Sequence, residues 1–221
     1  FGTFEVSGGE ISGNTASQNG GGVYVKAFGT FEVSGGEISG NTASQNGGGV
    51  YVKAFGTFEV SGGEISGNTA SQHGGGVYVD AFGTFEVSDD GRVDDVYLLA
   101  TSGVTISVTK TLTGTPPQVR NIDLNSQNDG TKVVTFTGVS GEDYVSYFTL
   151  AESVGQKVLT YQDDALVLTP AYKVTFDTNG GDPTPSPVLV AVNTPVSKPT
   201  ENPAKTGFIF TGWYTGQGTE W

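Results

Sequence analysis

The 221-residue chain contains no cysteine and no methionine, and only one histidine and two tryptophans. Without cysteine there is no disulfide framework, no thiolate metal site and no thiol nucleophile. A single histidine, His73, leaves few ways to build an imidazole metal centre or a nucleophile–base relay. Charged residues make up only 15% of the chain, and basic ones are the scarcer. The net charge is −13, of which −5 falls in residues 1–81 (seven acids, two lysines) and −8 in the rest (sixteen acids, eight bases). Such a surface repels phosphate backbones, so no nucleic-acid partner is expected; it suits solubility or a loose association with divalent cations. No apolar run approaches the roughly 20 residues of a membrane-spanning helix, so no span is expected in this fragment.

What is present in abundance is glycine, 35 residues of it, set into a repeat. FGTFEVSGGEISGNTASQNGGGVYVKA runs from Phe1 to Ala27, returns unchanged from Phe28 to Ala54, and returns again to Ala81 with two replacements, His73 for asparagine and Asp80 for lysine. A fourth copy keeps FGTFEVS through Ser88 and then departs. A 27-residue period belongs to units that bury their apolar face only against their neighbours. The glycine pairs and triplets leave no helical period. Phe4-Glu5-Val6 and Val23-Tyr24-Val25-Lys26 alternate, and Glu10-Ile11-Ser12 sets one aliphatic between polar residues, so each unit offers three short strands. Glycine bends and the turn Ser12-Gly13-Asn14-Thr15 separate them.

Identical three-strand coils in succession predict a parallel β-helix, right-handed by the usual rule for parallel crossovers, with strands about 4.8 Å apart. The competing arrangement, flat hairpin repeats, needs antiparallel turns that this unit does not obviously supply. In the β-helix, like lies on like: Phe4 on Phe31, Phe58 and Phe85; Val25 on Val52 and Val79; Ile11 on Ile38 and Ile65. Asn14, Asn41 and Asn68 then form an amide ladder.

The composition divides the chain into residues 1–88 (repetitive coils), 89–170 and 171–221. In the middle segment, strand signals at Asp95–Leu99, Val104–Val108, Val133–Phe136, Tyr147–Leu150 and Ala165–Leu168 alternate with Gly, Pro and Asn-Asp-Gly turns. They read as irregular coils that close the solenoid, or as a separate small β segment; closing coils are favoured because a stop at Ala81 exposes an apolar interior. With Phe1 opening inside a repeat and no Met at position 1, the sequence reads as an excerpt of a longer precursor, with more repeats and any export signal upstream.

From Tyr172 the pattern changes. Tyr172–Asp177 alternates, Asn179-Gly180-Gly181 is a tight turn, Val188–Val192 is a second strand, Pro195, Pro199 and Pro203 punctuate an extended link, and Gly207–Tyr214 gives an aromatic third strand. The opening VTFDTNGG, the proline-rich middle and the ending FTGWYT resemble the Listeria–Bacteroides repeat, the internalin B-repeat family. That resemblance implies a small β-rich, ubiquitin-like module, of a kind often set in tandem on bacterial surface and secreted proteins. The family pattern continues beyond Trp221, so the module is expected to be truncated. The GGEI, Asn14 and GGGVY elements of the 27-residue unit also resemble the glycine-rich coils of bacterial surface β-helices, including polymorphic-outer-membrane-like proteins. Both resemblances imply an extracellular or cell-surface location.

Side-chain columns supply the candidate chemistry, each beside a plainer account. Glu5, Glu32, Glu59 and Glu86 form one acidic column and Glu10, Glu37 and Glu64 a second; Ca²⁺ is the one cofactor they could attract, but no Asp-rich binding loop is present and a screened, solubilising face explains them better. Tyr24, Tyr51 and Tyr78 could offer ring faces to a sugar, although cross-coil packing is the simpler role. His73 reads as a drifted surface residue. Asp89-Asp90 and Asp94-Asp95, with Arg92 between, could supply the carboxylates of a polysaccharide-active enzyme, but the cluster sits at the repeat break and a solvated turn is the better account. No residue is assigned a catalytic, cofactor or metal role, and no enzyme is expected. The expected role is a structural, adhesin-type repeat rod that displays binding modules to a cell-envelope, host or glycan ligand. Self-association into an extracellular filament and a carbohydrate-active β-helix enzyme are the alternatives.

Overall fold

The computed structural model describes residues 2–216 and 220. It divides into two compact units, residues 1–155 with 159–168, and residues 156–158 with those from Thr169 onward.

The first unit is a parallel β-solenoid of about five coils of roughly 27 residues. Each of the first three coils contributes a long strand (Thr3–Ser12, Thr30–Ser39, Thr57–Ser66), a two-residue strand (Thr15–Ala16, Thr42–Ala43, Thr69–Ala70) and a three-residue strand (Val23–Val25, Val50–Val52, Val77–Val79). All pair in parallel with their counterparts, Phe4 against Phe31 and Phe31 against Phe58, Ile11 against Ile38, Val25 against Val52. Alternation does the rest: Phe31, Val33, Ile38, Val50 and Val52 point inward and are at most 1% exposed, as are Phe58, Val60, Ile65, Val77 and Val79 one coil on. Burying each such side chain contributes roughly 1.5–3 kcal/mol, and like-on-like stacking lets every coil reuse one packing solution.

The expected division into three short strands differs in detail. Phe4–Val6 and Glu10–Ser12 are the two ends of one strand, joined through a bulge at the glycine pair where the register shifts. Glycine is needed there because a Cβ on Gly36 would lie 2.6 Å from the carbonyl oxygen of Gly9. Thr15, placed in a turn by the sequence, begins the extra two-residue strand.

Beyond Ser88 the exact repeat stops but the stacking does not. Thr84–Val87 and Arg92–Asp94 lie on Thr57–Ser66, and Val96–Leu98 lies on Val77–Val79. Ile106–Val108 and Lys132–Phe136 follow on one side, Val119–Leu124 and Phe148–Leu150 on the other. Ala165–Leu168 then pairs antiparallel to Lys132–Phe136, ending the run of parallel partners on that side. Val119–Leu124 and Lys157–Gln162 are strands without a clean alternating pattern, and neither they nor Arg92–Asp94 are expected from the sequence.

In the second unit Ala171–Val174, the end of a strand that starts at Ala165, pairs antiparallel with Val188–Ala191. Asp182 bridges Ala204, and Tyr214 bridges Glu220. The turn after Val174 is built as its sequence demands: Asp177 accepts the Asn179 backbone N–H at 2.8 Å, and Asn179 and Gly180 take left-handed backbone (φ 51° and 80°). Trp213, 6% exposed, meets Phe176 and Phe210 edge-on at 5.8 and 5.6 Å. Gly207–Tyr214 is not a strand: among the described residues it makes no ladder apart from the bridge at Tyr214, and Phe208 and Ile209 stand 69% and 90% exposed. The ubiquitin-like sheet implied by the resemblance is represented among the described residues by this one antiparallel pair and two bridges.

Candidate functional site

The ladders come first because they set what the repeat can offer a ligand. Asn14 donates its backbone N–H and its side-chain amide to Asn41 Oδ1 at 3.0 and 2.9 Å, and Asn41 does the same to Asn68 at 3.0 Å for each. Asn41 and Asn68 also donate to the carbonyls of Ile11 and Ile38 at 2.8 and 2.7 Å. Asn41 is fully buried, so the column holds the polar turn inside the stack without an unpaired amide.

The tyrosine column is packing. Tyr24, Tyr51, Tyr78 and Tyr97 stack at 5.0, 5.2 and 5.3 Å, so ring faces cover one another and the interior of the column has no open face for a sugar. Tyr51, 7% exposed, donates its hydroxyl to Asp80 at 3.1 Å. Burial, then the charge of Asp80, raises its pKa far above the usual phenol value, so it is neutral at any ordinary pH. The outer glutamates do stand in register from Glu5 to Glu86. Burial, and after it the charges of Glu86 and Glu32, raises the Glu59 carboxyl above the ordinary range, while Lys110 pulls it down. Glu86 accepts the Thr109 hydroxyl. Among the described residues no group of three His, Asp or Glu is placed to hold a metal ion.

The acidic cluster of the sequence is dispersed by the fold. Asp89 accepts the Ser88 hydroxyl at 3.0 Å, and Asp90 lies with Arg92 in the glycine-lined groove beside Glu37 and Glu64. Asp94 is held in a two-bond ion pair by Arg120, a partner from the next coil that sequence spacing did not reveal, at 2.5 and 2.7 Å. Asp95 faces a different groove. No opposed carboxylate pair is assembled from these four.

That other groove is where the repeat's chemistry changes. It encloses about 330 Å³ and is lined by His73, Asp95, Tyr97, Asn121, Asp123 and Ser153, among others. His73 is a surface residue, as its replacement of asparagine in a glycine-flanked turn suggests, and it stacks on Tyr97 with ring centres 4.2 Å apart at the end of the column. Asp95 and Asn121 both hold left-handed backbone, φ 56° and 53°. Desolvation, then the Asp94 charge, raises the Asp95 carboxyl above its usual range, and a hydrogen bond from Asn121 opposes that. No hydrogen bond joins His73 to a carboxylate among the described residues, so no nucleophile–base relay is built. The arrangement offers carboxylate and amide acceptors beside an imidazole edge, which suits a small hydroxyl- or amine-bearing group.

Residues 172–221 match the Listeria-Bacteroides repeat domain family. Domains of this family are generally found on bacterial surface proteins. No curated protein and no solved structure matches the chain. A β-solenoid joined to a Listeria-Bacteroides repeat fits a repeat protein of the bacterial surface. No helix among the described residues is long and apolar enough to cross a membrane.

Proposed function

We propose that the chain is an extracellular, adhesin-type structural protein whose coils form a stalk and whose non-repetitive parts meet the ligand. The observation that carries this reading is the near-uniformity of the first three coils: outside the bulge their long strands pair residue on like residue, and the third differs from the others in His73 and Asp80 alone. Distinct chemistry begins where the repeat breaks, at His73, Asp95 and Asn121. A stalk can gain or lose whole units without redesign, whereas a catalytic site needs particular side chains at one coil. The reading is therefore non-enzymatic and assigns no cofactor. Ca²⁺ on the Glu5–Glu86 column would instead appear as a calcium-dependent rise in Tm.

The test is a binding screen of the whole chain against bacterial-envelope glycans and host matrix proteins, repeated with residues 28–54 deleted. Binding that persists after deletion supports a stalk. Binding that disappears with the deleted coil would place recognition in the repeat itself.

A further inference from the structure

A ridge and a groove each run along the repeat coils, and their features recur once per coil. The ridge is Phe28, Phe55 and Phe82, which begin their units; they are 58%, 51% and 60% exposed and stack at 5.5 and 5.3 Å. Each occupies left-handed backbone, φ 62°, 64° and 59°. An aromatic side chain is costly there, where asparagine or glycine is not. Because the ring faces cover one another, the ridge presents ring edges outward, which suits insertion into a cleft better than stacking on a sugar.

The groove, a shallow and open depression of about 500 Å³, is lined by Gly9, Gly36 and Gly63, the position at which the long strands bulge. Glu37, Glu64, Asp90 and Arg92 also line it. The Nε of Arg92 is buried without a hydrogen-bond partner.

The charges beside the two features match. Two residues before each ridge phenylalanine stand Lys26, Lys53 and Asp80, so the row reads positive, positive, negative. Along the groove the row reads Glu37, Glu64 and then Arg92, which is paired in register on Glu64 and shares that end of the groove with Asp90, so it reads negative, negative and then mixed. The purely acidic run of the groove ends at the same step as the lysine run of the ridge. Each groove residue follows its ridge counterpart by nearly the same number of positions, so the two rows climb the solenoid together. Among the described residues Lys26, Lys53, Glu37, Glu64 and Arg92 make no ion pair.

We propose that the phenylalanine ridge of one copy seats in the glycine groove of a second, parallel copy, with Lys26 facing Glu37, Lys53 facing Glu64 and Asp80 facing Arg92. A partner with the same rise per coil is the surface that stays in step with rings repeating at this spacing. The contact is heterologous, so it closes into a ring or continues as a lateral array. Three half-exposed rings fall well short of the roughly 800 Å² per partner of a stable interface, so the association is reversible and strengthens with the number of coils. This goes beyond the stalk-and-display reading, which stands or falls on ligand binding.

Sedimentation velocity over a wide concentration range tests it. The wild-type chain is expected to show a sedimentation coefficient that rises with concentration. Phe28→Asn/Phe55→Asn/Phe82→Asn, which keeps a residue that tolerates left-handed backbone, should sediment as a monomer with an unchanged circular-dichroism spectrum. Lys26→Glu/Lys53→Glu and Glu37→Lys/Glu64→Lys should each be monomeric alone and associate when mixed, because one then carries an acidic ridge and the other a basic groove. A monomeric wild type, association that survives the asparagine variant, or charge variants that fail to associate on mixing would each overturn the proposal.

Discussion

Asn46 and His73 face each other across a parallel bridge between neighbouring coils, and the side-chain oxygen of Asn46 is buried without a donor. In the preceding coil the same position is satisfied: Asn19 Oδ1 accepts both the backbone N–H and the side-chain amide of Asn46, at 3.1 and 3.2 Å. One of the two replacements that distinguish the third copy therefore ends a second amide ladder, and the histidine ring stacks on Tyr97 instead. His73→Asn is expected to restore the ladder and stabilise the fold by roughly 1 kcal/mol, less what the ring contact contributes. Thermal unfolding reads this directly, and a lower Tm in the variant would refute the ladder account.

The first amide ladder should be costly to break from the inside. Asn68→Ala removes the acceptor of two Asn41 donors in a fully buried setting, so a loss of roughly 2–3 kcal/mol is expected. Asn14→Ala, at the exposed end of the column, should cost under about 1 kcal/mol. Equal losses from denaturant unfolding would mean that burial does not set the value of these bonds.

Two glycines separate close approach from backbone conformation. A Cβ on Gly48 would lie 2.4 Å from the carbonyl oxygens of both Gly75 and Thr69, so Gly48→Ala must push two coils apart and should cost at least roughly 3 kcal/mol. Gly67 has left-handed backbone, φ 61°, but open space around the added atom, so Gly67→Ala should cost only about 1 kcal/mol. A reversed order in chemical denaturation would show that the coils are not packed this closely.

Glu59 gives the stack a pH dependence of known sign. Its folded pKa is raised, so the folded state holds this proton more tightly than the unfolded chain does. Stability from this group is present below the ordinary glutamate value and is lost as pH rises through the raised one. Glu59→Gln should therefore raise Tm at neutral pH, and the difference should vanish in acid below the ordinary carboxylate range. A variant that is less stable at neutral pH would mean that Lys110 outweighs burial and the neighbouring glutamates.

Most of the solenoid was legible because the repeat is its own alignment. Identity at 27-residue spacing places Phe4 on Phe31, and β alternation then assigns Phe and Val to the core with no tertiary information. Beyond Ser88 that device is gone. Val119–Leu124 reads Val-Arg-Asn-Ile-Asp-Leu, with Asn121 in left-handed backbone, so its inward residues do not fall at every second position. It is a strand because strands of the preceding coil offer it partners, which is a tertiary cause. The Arg120–Asp94 pair and the groove around His73 and Asp95 depend on the same cross-coil placement and leave no local signal. Repeat identity shows that Phe28, Phe55 and Phe82 recur in step; that they are exposed is seen in the structure alone.

The central claim is that each 27-residue unit is one interchangeable coil. Small-angle scattering of the chain with one, two and three extra copies of residues 28–54 tests it most directly. The account predicts an unchanged cross-section and a maximum dimension that grows by about 4.8 Å per added copy. A cross-section that widens while the length stays fixed, or extra copies that fail to fold, would contradict it.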